Sequence, residues 1–195
     1  MITSKFITLN LGIKKKSSDG LLIVLSNQSL TGMIATLNKF AAAPVLASRK
    51  NINSSIPKYI FINSGNANAC TGTEGSNNVK IILKSLSNKL KCKTSEIIIM
   101  STGIIGRQLP MNNIIQSIST FPMNTYSTIK DAAKSIMTTD KFPKYLSKSY
   151  QINSKKITFK GICKGAGMIE PNMATMLGFI ETNVVINTKK LNKYL

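Results

Sequence analysis

A layered α/β fold is predicted by three observations: five short apolar runs read as strands, helical spacing fills the gaps between them, and no internal repeat organises the chain. The strand-like runs fall at residues 21–25, 59–63, 97–100, 157–162 and 176–180. Each is β-branched or apolar and is bounded by Gly, Asn or Ser. Between the second and third runs, Val79, Ile82, Leu83, Leu86 and Leu90 recur every three or four residues, the spacing of one helix face, with Ser76 as a candidate cap. A second helix fits Ile129, Ala132, Ala133, Ile136 and Met137, and residues 112–119 suit a third. The stretch 142–156 is polar and lysine-rich and reads as a turn or exposed connection. Strands alternating with helices argue for a mixed α/β sandwich. The 195 residues suffice for one domain with a real core and are too few for two comfortable ones.

Composition narrows the chemistry. Histidine is absent, which excludes a Ser-His-Asp triad, a Cys-His pair, His-ligated zinc or haem, and any histidine general base. Proton transfer must use a carboxylate, lysine, tyrosine, thiol or terminal amine. The formal charge is +19, from 26 Lys and Arg against 7 acidic residues, and only Arg49 and Arg107 are arginines. Readers of nucleic acid usually need arginine for bidentate contacts. Apart from residues 14–16 the lysines are scattered, so a solvated lysine-rich surface is the plain reading and an RNA- or partner-binding face the sharper one. Cys70, Cys92 and Cys163 are widely spaced with no CxxC, so neither a metal cluster nor a disulfide framework is expected. The longest strongly apolar run, residues 21–25, is far below the roughly 18 residues that span a membrane. No signal peptide is expected, and the cytoplasm is the default location.

Four segments fit neither the helical nor the strand period: NSGNANACTG at 63–72, STGIIG at 101–106, MTTD at 137–140 and KGAGMIEPNMATM at 164–176. Each sets small residues and hydroxyls directly after an apolar element, where backbone amides can turn toward a ligand. At Ser101, Thr102 and Gly103, two amides aimed at one point would form an oxyanion hole, worth about 3 kcal/mol per donor. An ordinary strand-ending turn is the alternative there. Lys164 beside Gly165, Ala166 and Gly167 lacks the spacing of a phosphate loop. It suits a substrate carboxylate or a developing negative charge, or simply a surface lysine by a Gly-rich turn. Thr175, between Ala174 and Met176, is either one polar residue in a buried strand or a self-processing nucleophile. In the second case its hydroxyl attacks the preceding carbonyl, an N→O acyl shift follows, and hydrolysis makes Thr175 an N-terminus. A free α-amine, with a pKa of about 7.7–8.0, can then act as general base for its own hydroxyl.

Taken in order, these segments resemble the ornithine/glutamate acetyltransferase family of arginine biosynthesis, the ArgJ family. The resemblance starts at AAPV (42–45), runs through 63–72, STG (101–103), IG (105–106), LPM (109–111), IMTTD (136–140) and PK (143–144), and ends with KGAGMI (164–169) and PNMATML (171–177). It implies a layered α/β sandwich of the self-processing ArgJ/DmpA-like type. It implies that Thr175 is the nucleophile, exposed by cleavage after Ala174, that it carries acetyl from N-acetylornithine to glutamate, and that Thr102 and Gly103 form the oxyanion hole. Thr138, Lys164 and Thr175 would contact substrate. Ping-pong kinetics are expected from a shared acetyl-enzyme. No metal or organic cofactor is implied, and acetyl-CoA serves some members as a substrate.

By the same resemblance, residues 1–174 form the first-subunit domain and 175–195 begin a second subunit. Most of that second half is lacking here. The family assembles two alpha and two beta chains, so a second-subunit polypeptide is the expected partner. Three readings stay open: the first part of a split enzyme, an inactive remnant, or a fragment. A basic RNA- or partner-binding protein is the alternative of a different class.

Overall fold

In the computed structural model the described residues are 4–15, 17–26, 29–165 and 176–195. The central sheet has the order β1 (Lys5–Leu9), β2 (Gly20–Val24), β3 (Tyr59–Asn66), β4 (Ile97–Ile104). The first two pairings are antiparallel and β3–β4 is parallel. A parallel pair needs a crossover, which helix α2 (Gly72–Leu90) supplies. Alternation along the strands sends side chains to two buried faces. Leu22, Phe61, Ile97 and Ile99 meet Val79, Ile82, Leu83 and Leu86 of α2 and Ile114 and Ile118 of α3 (Met111–Thr120). Leu21, Ile23, Ile60, Ile62 and Ile98 face the other way, toward Ala132 and Ala133 of α4 (Ile129–Ser135), Ile136 and Ile162. A strand buried on both faces reads as a continuous apolar run, which is why these three were visible in the sequence.

Ile162 belongs to a second, antiparallel sheet of β5 (Lys144–Ile152), β6 (Lys155–Lys164) and β7 (Leu177–Thr182). Its inner face packs on α4 and the central sheet through Ile162, Leu177 and Phe179, with Phe6 edge-on to Phe179 at 6.2 Å. The layers are therefore helices, central sheet, then α4 with the second sheet, an α/β sandwich as expected.

Helix α1 (Ala43–Ser54) lies along the free edge of β4. Ser48 Oγ donates to the Ile99 carbonyl (2.6 Å) and accepts from the Ile99 amide (2.9 Å). Asn51 Nδ2 donates to the Ile97 carbonyl (2.7 Å). Two polar side chains thus close an edge that would otherwise invite further strand pairing.

Three expectations are corrected. Residues 142–156 are not merely a connection: β5 and the start of β6 occupy them, as an exposed hairpin whose apolar positions are only half the pattern. Helix α2 starts before Ser76, with Thr71 as its N-cap residue, and the Ser76 hydroxyl donates back to the Gly72 carbonyl (3.4 Å). The polar first turn carries no apolar period to announce itself. The STG motif does not follow a strand but lies inside β4, which runs on to Ile104.

Candidate functional site

Strands β3 and β4 are parallel, so their C-terminal ends emerge side by side, the edge where open α/β sheets hold ligands. Asn63, Ser64, Gly65 and Asn66 of β3 lie against Ser101 to Ile104 of β4, with a register irregularity at Asn66. Gly103 has φ +134°, and a Cβ there would lie 2.2 Å from the carbonyl carbon of Gly65 and 2.5 Å from the Asn66 nitrogen. Only glycine allows backbone to approach backbone this closely at a positive φ.

The buried Thr102 hydroxyl accepts a hydrogen bond from Lys164 Nζ at 3.0 Å. Lys164, at the end of β6, is 3% exposed, so it is not the surface lysine that the Gly-rich turn allowed. Burial holds its ammonium below the ordinary lysine range; the Asp140 carboxylate opposes that shift and the Lys144 charge adds to it. Asp140 is likewise buried. Its Oδ1 accepts from Lys144 Nζ and from the Gly165 amide (2.9 Å), and its Oδ2 from the Thr138 amide (3.3 Å). Burial pushes this carboxyl up, but the bonds from Lys144, Gly165 and Thr138 outweigh it and leave the pKa at about 2.

The structure therefore brings Thr102, Gly103 and Lys164 together and ties Thr138 to them through Asp140. Ala174 and Thr175 lie outside the described residues. The chain on either side of them is described: Lys164 pairs with Leu177 across β6–β7, and a Cβ on Gly165 would sit 3.5 Å from Met176 Cγ.

The segment 63–72 behaves differently from expectation. Its amides at Ser64, Ala67 and Asn68 bond to the Asp19 carbonyl (2.8 Å), the Ile104 carbonyl (2.9 Å) and Asn66 Oδ1 (2.7 Å). Asn63 bridges Ser101 Oγ (2.5 Å) and the Asn66 carbonyl (2.8 Å). Much of this motif builds the turn rather than facing a ligand. Sequence reasoning also passed over Asp19. Its buried carboxylate accepts the amides of Leu11 (2.5 Å), Ile13 (2.6 Å) and Lys14 (2.8 Å). Lys14 Nζ then reaches the carbonyls of Ser135 (3.3 Å) and Met137 (3.2 Å), just before Thr138. The available signal was one acid among few, beside the only lysine cluster. A cavity of about 380 Å³ lined by Pro57, Lys58, Lys93 and Glu96 lies at the opposite, N-terminal ends of β3 and β4, away from these residues.

The ArgJ family model matches residues 5–195. The chain belongs to the ArgJ family. It is 37% identical over 183 residues to the arginine biosynthesis bifunctional protein ArgJ of Caldanaerobacter subterraneus subsp. tengcongensis, covering 93% of this chain and 45% of that protein. It is 42% identical over 189 residues to the mitochondrial ArgJ of Dictyostelium discoideum, covering 94% of this chain and 42% of that protein. Among solved structures, ArgJ from Bacillus halodurans superposes with a TM-score of 0.79 at 31% identity, over 88% of this chain and 91% of that one. The ornithine acetyltransferase of Mycobacterium tuberculosis, solved with ornithine, gives 0.73 at 26%, over 88% and 92%. The chain thus spans about half the length of the curated ArgJ relatives it matches, and 91% and 92% of these two crystal chains. Among the described residues, no helix is long and apolar enough to cross a membrane.

Proposed function

We propose that this chain is the nucleophile-bearing part of an acetyltransferase that moves acetyl from N-acetylornithine to glutamate, with Thr175 as the acceptor of the acetyl group. The observation that carries the reading is the buried bond from Lys164 Nζ to Thr102 Oγ1. With an ammonium donating to its oxygen, the Thr102 hydroxyl is polarised and its own proton is left to donate elsewhere. Aimed at a tetrahedral intermediate, that proton and the Gly103 backbone form an oxyanion hole.

The reaction has two stages. Thr175 Oγ attacks the Ala174 carbonyl, the acyl group shifts from N to O, and water hydrolyses the ester. The cut divides the chain into 1–174 and 175–195. The new amine then takes the proton of its own hydroxyl as Oγ attacks the acetyl carbonyl of N-acetylornithine, and ornithine leaves with that proton. The α-amine of glutamate attacks the acetyl ester in turn and regenerates Thr175. Thr138 and Lys164 hold the substrate, the latter through its positive charge. The chemistry takes no metal or organic cofactor; acetyl-CoA enters only as a second acetyl donor.

One surface feature supports a partner chain. The outer face of the β5–β6–β7 sheet leaves Leu146, Phe159 and Ile180 exposed in one patch, an area a second polypeptide would cover. The reading places the assembly in the cytoplasm.

Mass spectrometry of the expressed chain tests the first stage. Products ending at Ala174 and starting at Thr175 are expected, and Thr175→Ala should abolish both. The second stage is tested by incubating the chain and its complementary half with N-acetylornithine and looking for an acetyl ester on Thr175. A wild-type chain that stays as whole as Thr175→Ala, or that never carries the ester, refutes the proposal.

A further inference from the structure

Gly165 is where β6 gives way to the segment holding Ala174 and Thr175, and both of its backbone polar groups are gripped. Its N–H donates to Asp140 Oδ1 at 2.9 Å, and its carbonyl accepts from Lys144 Nζ at 3.2 Å. Asp140 and Lys144 also pair directly, with the carboxylate side chain 1% exposed and the lysine 32%. The remaining carboxylate oxygen takes the Thr138 amide. One ion pair therefore holds the residue after Lys164 and the backbone of Thr138 in a single frame.

That frame has a job to do. Lys164 has a long flexible stem, and fixing it costs side-chain entropy, while burying its charge is opposed by lost hydration. Anchoring the backbone beside it limits how far that stem can swing. We infer that the Asp140–Lys144 pair is a positioning device that anchors Gly165 and thereby keeps the Lys164 ammonium on the Thr102 hydroxyl. The inference rests on the reading of Thr102 and Lys164 as parts of the reacting site, but its tests do not use acetyl transfer. Asp140 and Lys144 touch no reacting atom; they act through Gly165 and Lys164.

The experiment uses the full 195-residue chain with labelled lysine side chains, followed by NMR, with the Lys164 signal assigned through Lys164→Arg. In Asp140→Asn the amide of Gly165 should exchange about tenfold faster or more, a charge-assisted hydrogen bond having been lost, while those of Phe61 and Ile98 keep their protection. The Lys164 titration midpoint should rise toward the ordinary lysine value as the side chain swings into water. Direction decides here. If Asp140 served only as a favourable nearby charge for a lysine that stays in place, its removal would lower the midpoint further. A lowered or unmoved midpoint, or an unchanged Gly165 exchange rate, overturns the inference. Should the Phe61 and Ile98 amides also lose protection, Lys144→Arg becomes the deciding variant. It keeps a donor for Gly165, so wild-type exchange and titration support the inference and altered values overturn it. A chain that passes these tests but never transfers acetyl overturns the proposed function alone; a chain that transfers acetyl but fails them overturns the positioning role alone.

Discussion

Replacing Gly103 by alanine sets a quantitative test of how β3 and β4 approach each other. The added methyl would lie 2.2 Å from the Gly65 carbonyl carbon and 2.6 Å from the Gly65 oxygen, both main-chain atoms that no rotamer change can move. The strands would have to part by about 1 Å to restore ordinary contact. That separation breaks one or two hydrogen bonds at the end of the β3–β4 ladder, worth about 1 kcal/mol each. A positive φ adds roughly 1–2 kcal/mol for any residue with a Cβ. The total is about 2–4 kcal/mol, a large part of a typical folding free energy of about 5–15 kcal/mol. Urea unfolding followed by circular dichroism reads it as a midpoint lowered by about 1 M or more. Gly106 provides the internal comparison, since it has φ +76° but nothing within 4 Å of its would-be Cβ. Gly106→Ala should show only the conformational term, about 1–2 kcal/mol. Equal losses for the two variants would refute the close-approach argument.

Further outcomes follow from the same structure. Ser48→Ala leaves the Ile99 N–H and C=O at the sheet edge without partners and should cost about 2–4 kcal/mol by denaturant unfolding; a loss below about 1 kcal/mol would show that α1 does not close that edge. The Asp140 carboxyl titrates at about 2 in the fold against 3.8 ordinarily, so its contribution is complete above pH 4 and is lost as the pH falls toward 2. It amounts to about 2 kcal/mol, and Asp140→Asn should flatten that part of the stability–pH curve; an identical acid limb in the variant refutes the assignment. Once cut after Ala174, the two products should elute together from a gel-filtration column in native buffer and part only in denaturant, because β7 keeps its pairing with β6; separation in native buffer would contradict the register.

How far the fold could be read beforehand follows from where each element obtains its stability. β2, β3 and β4 are apolar throughout because the sheet is covered on both faces, and the exposed sides of α2 and α3 leave the apolar stripe visible. α1 escaped notice because two of its buried residues, Ser48 and Asn51, are polar and work by hydrogen bonding to a strand edge. No apolar period marks such a helix. β1 is short, and β5 is exposed along nearly its whole length, standing through its pairing with β6 rather than through burial. For the site, ordered motifs pointed to Thr102, Gly103 and Lys164, and the fold brings these together. The ties among them were not legible. The Asp19 carboxylate serves three amides and Asp140 serves two amides and an ammonium, and such contacts depend on loops meeting in space, about which spacing along the chain says nothing.

The antiparallel seam between β6 and β7 has a consequence for the proposed cut. Leu177 and Phe179 are seated among buried residues and Lys164 faces Leu177, so breaking the connection after Ala174 removes a covalent tether without removing the contacts it spans. Leu177, two residues after Thr175, would stay opposite Lys164 with no diffusion step. A synthetic peptide beginning at Thr175 should therefore be able to pair again with β6 in a chain ending at Ala174.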